Sequence, residues 1–167
     1  MNKDIIEKPG RDEEAIDIVG WYTLAASAVG AVPVPASSAA IVANNGFMIA
    51  HISSAYATDV SWDTVVASLG IAGTLNVAGR AVFIEAAKTL AWGTGSFWAL
   101  AALSAVGATT AALQTYIIGL LAIEIAKKGG AALSTVVANT VISKGPSNLQ
   151  AFLKDAEKKD LNDPGKP

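Results

Sequence analysis

A chain of 167 residues is long enough for one domain with a buried core. Apolar residues make up 52% of it and charged residues only 16%, against a usual charged share of about 25%, so little charge is left for a water-facing surface. The net charge of −2 gives no field that would gather nucleic acid, and the lack of cysteine excludes a disulfide framework, a thiolate nucleophile and a Cys-based metal site.

Residues 1–14 are charged, include the turn pair Pro9-Gly10, and read as a disordered acidic tail. That composition is the reverse of a secretory signal's basic start, so no cleaved signal is expected. The acidic residues from Asp12 to Asp17 suit a helix N-terminus, and a helix is expected to begin between Asp12 and Ala15. From Asp17 to Asp59 the chain then runs for 41 residues without a formal charge. About 20 apolar residues, rising about 1.5 Å each, cross the hydrocarbon core of a bilayer, so a membrane is the first solvent to consider.

Pro33 and Pro35 divide this run, because each removes an amide donor and pushes the preceding residue out of helical geometry. Two helices follow from that, Ile16 to Val32 and Ala36 to Tyr56. Trp21 and Tyr22 stand near the polar end of the first, where amphipathic aromatics anchor a membrane interface. Asn44 and Asn45 in the second either hydrogen-bond across helices or face a water-filled space.

A polar tip, Thr58 to Ser61, supplies Asp59 or Ser61 as the cap of a third helix running from Trp62 to about Ala91. Its Gly70, Gly73 and Gly79 each cost about 1 kcal/mol relative to Ala, which calls for close helix packing as compensation. Arg80, Glu85 and Lys88 make its second half amphipathic and place it at a surface. Trp62 and Trp92 are further interface anchors, and Gly93 and Gly95 break the chain. A second uncharged run, 35 residues between Lys88 and Glu124, contains the longest apolar helix, Phe97 to Ala126. Its uncharged part, residues 97–123, is about 40 Å long as a helix, enough to span with tilt. Thr109, Gln114 and Thr115 are polar positions within it and carry the same two readings as the asparagines.

Lys127-Lys128-Gly129-Gly130 ends this helix, with cations against its negative end and glycine for a left-handed cap. The lysine pair also favours a cytoplasmic location for that end, and both termini are placed there. A short apolar segment, Ala131 to Ser143, leads to Lys144-Gly145-Pro146 as a breaker. Residues 147–159 then read as a small amphipathic helix and 162–167 as a disordered end. The chain thus divides into a tail (1–14), a helical membrane-associated domain (15–143) and a C-terminal amphipathic helix with its disordered end (144–167). The fold class is all-α, a bundle of four to six Ala/Gly-rich apolar helices forming membrane hairpins, with polar tails.

Catalysis has little to work with. The single histidine, His51, lies in an apolar segment, and although Ser53 and Asp59 are near in sequence, no G-x-S-x-G context accompanies them. One histidine without cysteine makes a zinc site improbable. Gly93-Thr94-Gly95 lacks the strand and third glycine of a dinucleotide fingerprint, and no phosphate-binding loop occurs. No enzymatic activity and no cofactor are expected.

In order as well as in type, residues of about 16 to 128 resemble the YcjF-type helical domain of unknown function linked to Era-like GTPases. The likeness runs through the proline break at Ala31-Val32-Pro33-Val34-Pro35, then Asn45, Met48, Ile49 and Tyr56, then Gly70, Gly73 and Arg80. It continues through Gly93-Thr94-Gly95 and Thr115-Tyr116-Ile117-Ile118-Gly119. Asn45 stands where that family often has glutamine, Ala57 where glycine is common, and Trp92 where proline is common. The resemblance implies an all-α membrane-associated module working with a GTPase, which here would be a separate protein, and it brings no catalytic residues.

The leading expectation is a non-enzymatic membrane-embedded or membrane-docked accessory or scaffold protein, in contact with membrane lipids and self-associating into a homo-oligomer. The alternative is a pore-forming or transport-like protein in which the helix breaks and intramembrane polar residues line a path. A soluble bundle would call for charges every three or four residues on its outer faces, and residues 18–58 and 97–123 have none.

Overall fold

Glu13 reaches back to the amide of Gly10 (3.3 Å), and Asp12, Glu13 and Glu14 fill the first turn that follows, so α1 (Arg11–Ala31) starts where negative charge favours a helix end. The structure, a computed structural model, describes residues 10–32, 37–70 and 97–161. Pro33, Pro35, Trp92, Gly93, Gly95 and the amphipathic half of the third helix with Arg80, Glu85 and Lys88 lie outside these, as do residues 1–9 and 162–167.

The chain is all-α: the described residues form five helical segments and no strand. After α1 come α2 (Ser37–Tyr56), α3 (residues 62–70), α4 (Phe97–Lys127) and α5 (Thr135–Leu161). Ser61 caps α3, its hydroxyl accepting from the amide of Thr64 at 3.1 Å. The C-terminus of α4 closes as its sequence predicts. Gly129 (φ +71°) and Gly130 (φ +86°) adopt left-handed geometry, and their amides bond the carbonyls of Ala126 and Ile125 at 3.0 and 2.9 Å.

The end of α2 has the same pair of bonds, from Ala57 to Ser54 and from Thr58 to Ser53, but an alanine occupies the left-handed position at φ +50°. A Cβ in that region is disfavoured by about 1 kcal/mol or more. Ala57→Gly is therefore expected to stabilise the protein by about 1 kcal/mol, read as a rise of roughly 2–4 °C in Tm. An unchanged or lowered Tm would mean that this turn carries no strain.

α4 is the central helix. α1 runs antiparallel to it: Asp12 meets Lys127 at one end, Val19 meets Gly119 in the middle, and Gly30 meets Gly107 and Ala111 at the other end. The small residues Gly107, Ala111, Thr115 and Gly119 recur every four positions along α4, one ridge on a single helix face. α2 lies parallel to α4 on one flank, through Asn45 with Thr115 and Met48 with Gly119. α5 takes the other flank, where the ring of Phe152 covers Gly20 and stands 5.9 Å from that of Tyr116. Val19, Met48, Ile52, Ile118, Leu121 and Ile125 are fully buried between these layers. α3 closes the charged end, with Val65 and Leu69 in the core and Ser68 accepting from the amide of Leu133 at 2.9 Å.

Two boundaries differ from expectation. Residues 11–14, expected in the tail, are already helical, because the Gly10–Glu13 cap begins α1 ahead of Asp12. Lys144-Gly145-Pro146, expected to break the chain at 143/144, lies inside the continuous α5. Proline removes one helical hydrogen bond there, but Ala138, Gly145 and Leu149 are buried on either side of it, and this packing carries the helix through.

Candidate lipid-facing surface

The antiparallel pairing of α1 and α2 is fixed by polar contacts. Asn44 donates to the carbonyl of Tyr22 (3.1 Å), the Tyr22 hydroxyl and His51 Nδ1 are 2.8 Å apart, and the Tyr56 hydroxyl donates to Asp12. Asn45 and Thr115 are both fully buried, and the threonine hydroxyl donates to the asparagine carbonyl oxygen at 2.8 Å. The two asparagines thus make helix–helix contacts. A one-turn slip of α2 on α4 would leave Asn45 and Thr115 buried without each other, so the pair holds the register. Gln114 is half-buried and Thr109 exposed.

The charged residues of α1, Arg11 to Asp17, collect at its N-terminal end, beside the end of α2. There Lys127 Nζ lies 2.9 Å from Asp12 Oδ2 and 3.6 Å from Glu124, joining the start of α1 to the end of α4, while Tyr56 joins α2 to the same carboxylate. The Tyr56 bond and Lys127 hold Asp12 below its ordinary 3.8, whereas burial and then the bond to Asp12 push the Tyr56 phenol up. Because the folded state lowers the pKa of Asp12, its contribution to stability is present above that ordinary value and is lost as pH falls through the lowered one. Melting wild type and Asp12→Asn across pH is expected to show a constant gap from neutrality down to about pH 5 that closes below about pH 4. A gap independent of pH would remove Asp12 from this role.

Past Asp17 the outward faces change character. Trp21 is 74% exposed and Phe47 66%, and the pairing of Tyr22 with Asn44 sets them at about the same height of the hairpin. Leu24, Ala25, Ala28 and Val32 continue the exposed face of α1, and Val42, Ala43, Gly46 and Ala50 that of α2. Residues 18–58 carry no formal charge, so α2 and the part of α1 past Asp17 are apolar or uncharged on every side. The exposed side of α5 is more polar, with Asn139, Lys144, Asn148 and Lys154, and carries two exposed large apolar residues, Val136 and Leu153. Among the described residues one helical stretch, Val106–Lys127, is long and apolar enough to cross a membrane, and more than half of it is buried by the other helices.

Of the expected interface anchors, Trp21 stands one turn past Asp17, Tyr22 is half-buried against His51, and Trp62 is exposed at the start of α3. Lys128 is exposed beside the paired Lys127. Phe47 belongs to the same surface, and only the α2 register, unknown from sequence, could have shown that it points outward. Among the described residues no group of three His, Asp or Glu side chains is placed to hold a metal. No family model, curated protein or solved structure matches the chain.

Proposed function

We propose that this protein is a non-enzymatic, membrane-docked helical accessory or scaffold protein whose α1–α2 hairpin enters lipid by its outward faces. The observation that supports this is the pair of exposed, charge-free helix faces bearing Trp21 and Phe47. An exposed apolar surface on this scale marks a membrane or protein contact, and a helix apolar on all sides belongs in an apolar medium. The uncharged helical part of α1, residues 18–31, is about 21 Å long, short of the roughly 30 Å hydrocarbon core. The hairpin therefore enters without crossing, the charged end with Lys127 and Lys128 stays at the cytoplasmic surface, and the polar side of α5 stays in water. The YcjF-type resemblance adds a separate GTPase as a proposed partner, and the uncharged runs and small-residue helix faces add further copies of the chain.

The test is flotation of the full chain with phosphatidylcholine vesicles, using Phe in place of Trp62, Trp92 and Trp98 so that Trp21 alone reports. Co-flotation with quenching of Trp21 by lipids brominated in the acyl chain is the expected result. A monodisperse monomer that stays in solution and leaves the vesicles untouched would end this reading.

A further inference from the structure

Above the contact of Phe152 with Gly20, α5 parts from α1 and leaves a groove of about 480 Å³ over α4. Ile16, Leu120, Val137 and Val141 form its apolar floor. One end is closed by Lys127 between Asp12 (2.9 Å) and Glu124 (3.6 Å), a cluster with one net negative charge that would turn the anionic end of a ligand away from it and toward Lys144. The α5 lip carries Thr140, Lys144 and Asn148, four residues apart and so on one line of the helix. Thr140 spends its hydroxyl on the carbonyl of Val136 (2.8 Å), and Lys144 has no ion-pair partner among the described residues.

An apolar trough of a few hundred Å³ with one uncompensated cation and one amide at its lip matches a ligand with a hydrocarbon chain and a single anionic end. We infer that this groove binds a single-chain fatty acid, its carboxylate on Lys144 Nζ and the Asn148 side chain, its chain laid over Ile16, Leu120, Val137 and Val141. The groove lies between α1, α4 and α5, and its volume of about 480 Å³ has room for one such chain. The site is on the α5 flank and does not depend on the outward faces of α1 and α2.

Palmitate carrying a mid-chain diazirine is added to the full chain in the presence of phosphatidylcholine vesicles, irradiated, and its adducts mapped by mass spectrometry. Labelling is expected on the peptides containing Leu120 and Val137 to Val141, competed by unlabelled palmitate. Lys144→Glu, at an exposed position, is expected to lower it about tenfold, and Lys144→Arg to preserve it. Val141→Trp, which fills the trough, is expected to abolish it, with circular dichroism reporting whether that variant folds; if it does not, the lysine pair decides. Labelling confined to residues 18–56, labelling indifferent to Lys144→Glu, or equal capture of a two-chain phosphatidylglycerol probe would each overturn the assignment. Failure of the vesicle flotation alone would leave the groove labelling intact, so the two readings fail separately.

Discussion

Gly30→Leu is expected to unfold the bundle, whereas Gly46→Ala, on the outward face of the neighbouring helix, is expected to stabilise it. A Cβ at Gly30 would lie 2.5 Å from the carbonyl oxygen of Gly107 and 2.7 Å from the Cβ of Ala111. Real Cβ atoms do not approach backbone this closely, and the obstacle is main chain, which no rotamer change moves aside. α1 would have to lift off α4 over the turn that holds Ala26, Ile41 and Ala111 together. Overpacking of this kind costs about 3 kcal/mol or more, a large part of the total stability of a domain. Gly46 has nothing within 4 Å of its missing Cβ, so alanine there gains helix propensity alone, about 1 kcal/mol. Thermal melts of the two purified variants measure both effects; equal melting temperatures would show that α1 and α4 do not cross at Gly30.

Replacing Trp21 and Phe47 together with lysine is expected to release the protein from membranes while leaving it folded. Both side chains are largely exposed, so their loss removes little packing, and surface changes of this kind usually stay within about 0.5 kcal/mol. In lipid the same change is large. A lysine at the centre of a membrane helix costs about 2.5–3.5 kcal/mol on insertion scales, and less near the interface. Two of them are expected to lower vesicle partitioning at least about 100-fold. Vesicle flotation of the double variant, with circular dichroism alongside, separates the outcomes. Unchanged flotation would place the lipid contact elsewhere, and a collapsed melting temperature would mean that the two residues are packed rather than exposed.

Helix ends were the most legible part of the fold, because their signals are local. Ser61 before Trp62, and Lys127-Lys128-Gly129-Gly130, act through hydrogen bonds within a few residues of each other, and both do in the structure what their chemistry predicts. Pro146 does not break the helix as its sequence neighbours suggest, because its effect is decided at a distance: Gly145 sits against Ile117 and Leu149 is buried, contacts that neighbours in sequence do not contain. The groove beneath Lys144 is hidden in the sequence because its walls come from α1, α4 and α5 together, and only Asn148 of its lining lies past the proline. Asn44, Asn45 and Thr115 were identifiable as polar groups in apolar helices, but the pairing of Asn45 with Thr115 depends on how α2 and α4 are aligned. That Trp21 and Phe47 both face outward follows from helix rotation, which near-uniform apolar faces leave unspecified in the sequence.

The central place of α4 also has a consequence in time. The face of α1 that carries Val19, Thr23, Ala26 and Gly30 is covered by a helix that ends about 100 residues later, so at roughly 5–20 residues per second the ribosome takes some 5–20 s to deliver that cover. During that interval the nascent hairpin shows apolar residues on its future inner face as well as its outer one. An early hairpin of this kind needs shelter from water before the bundle that will enclose it has been synthesised, and a membrane close to the exit tunnel would provide it.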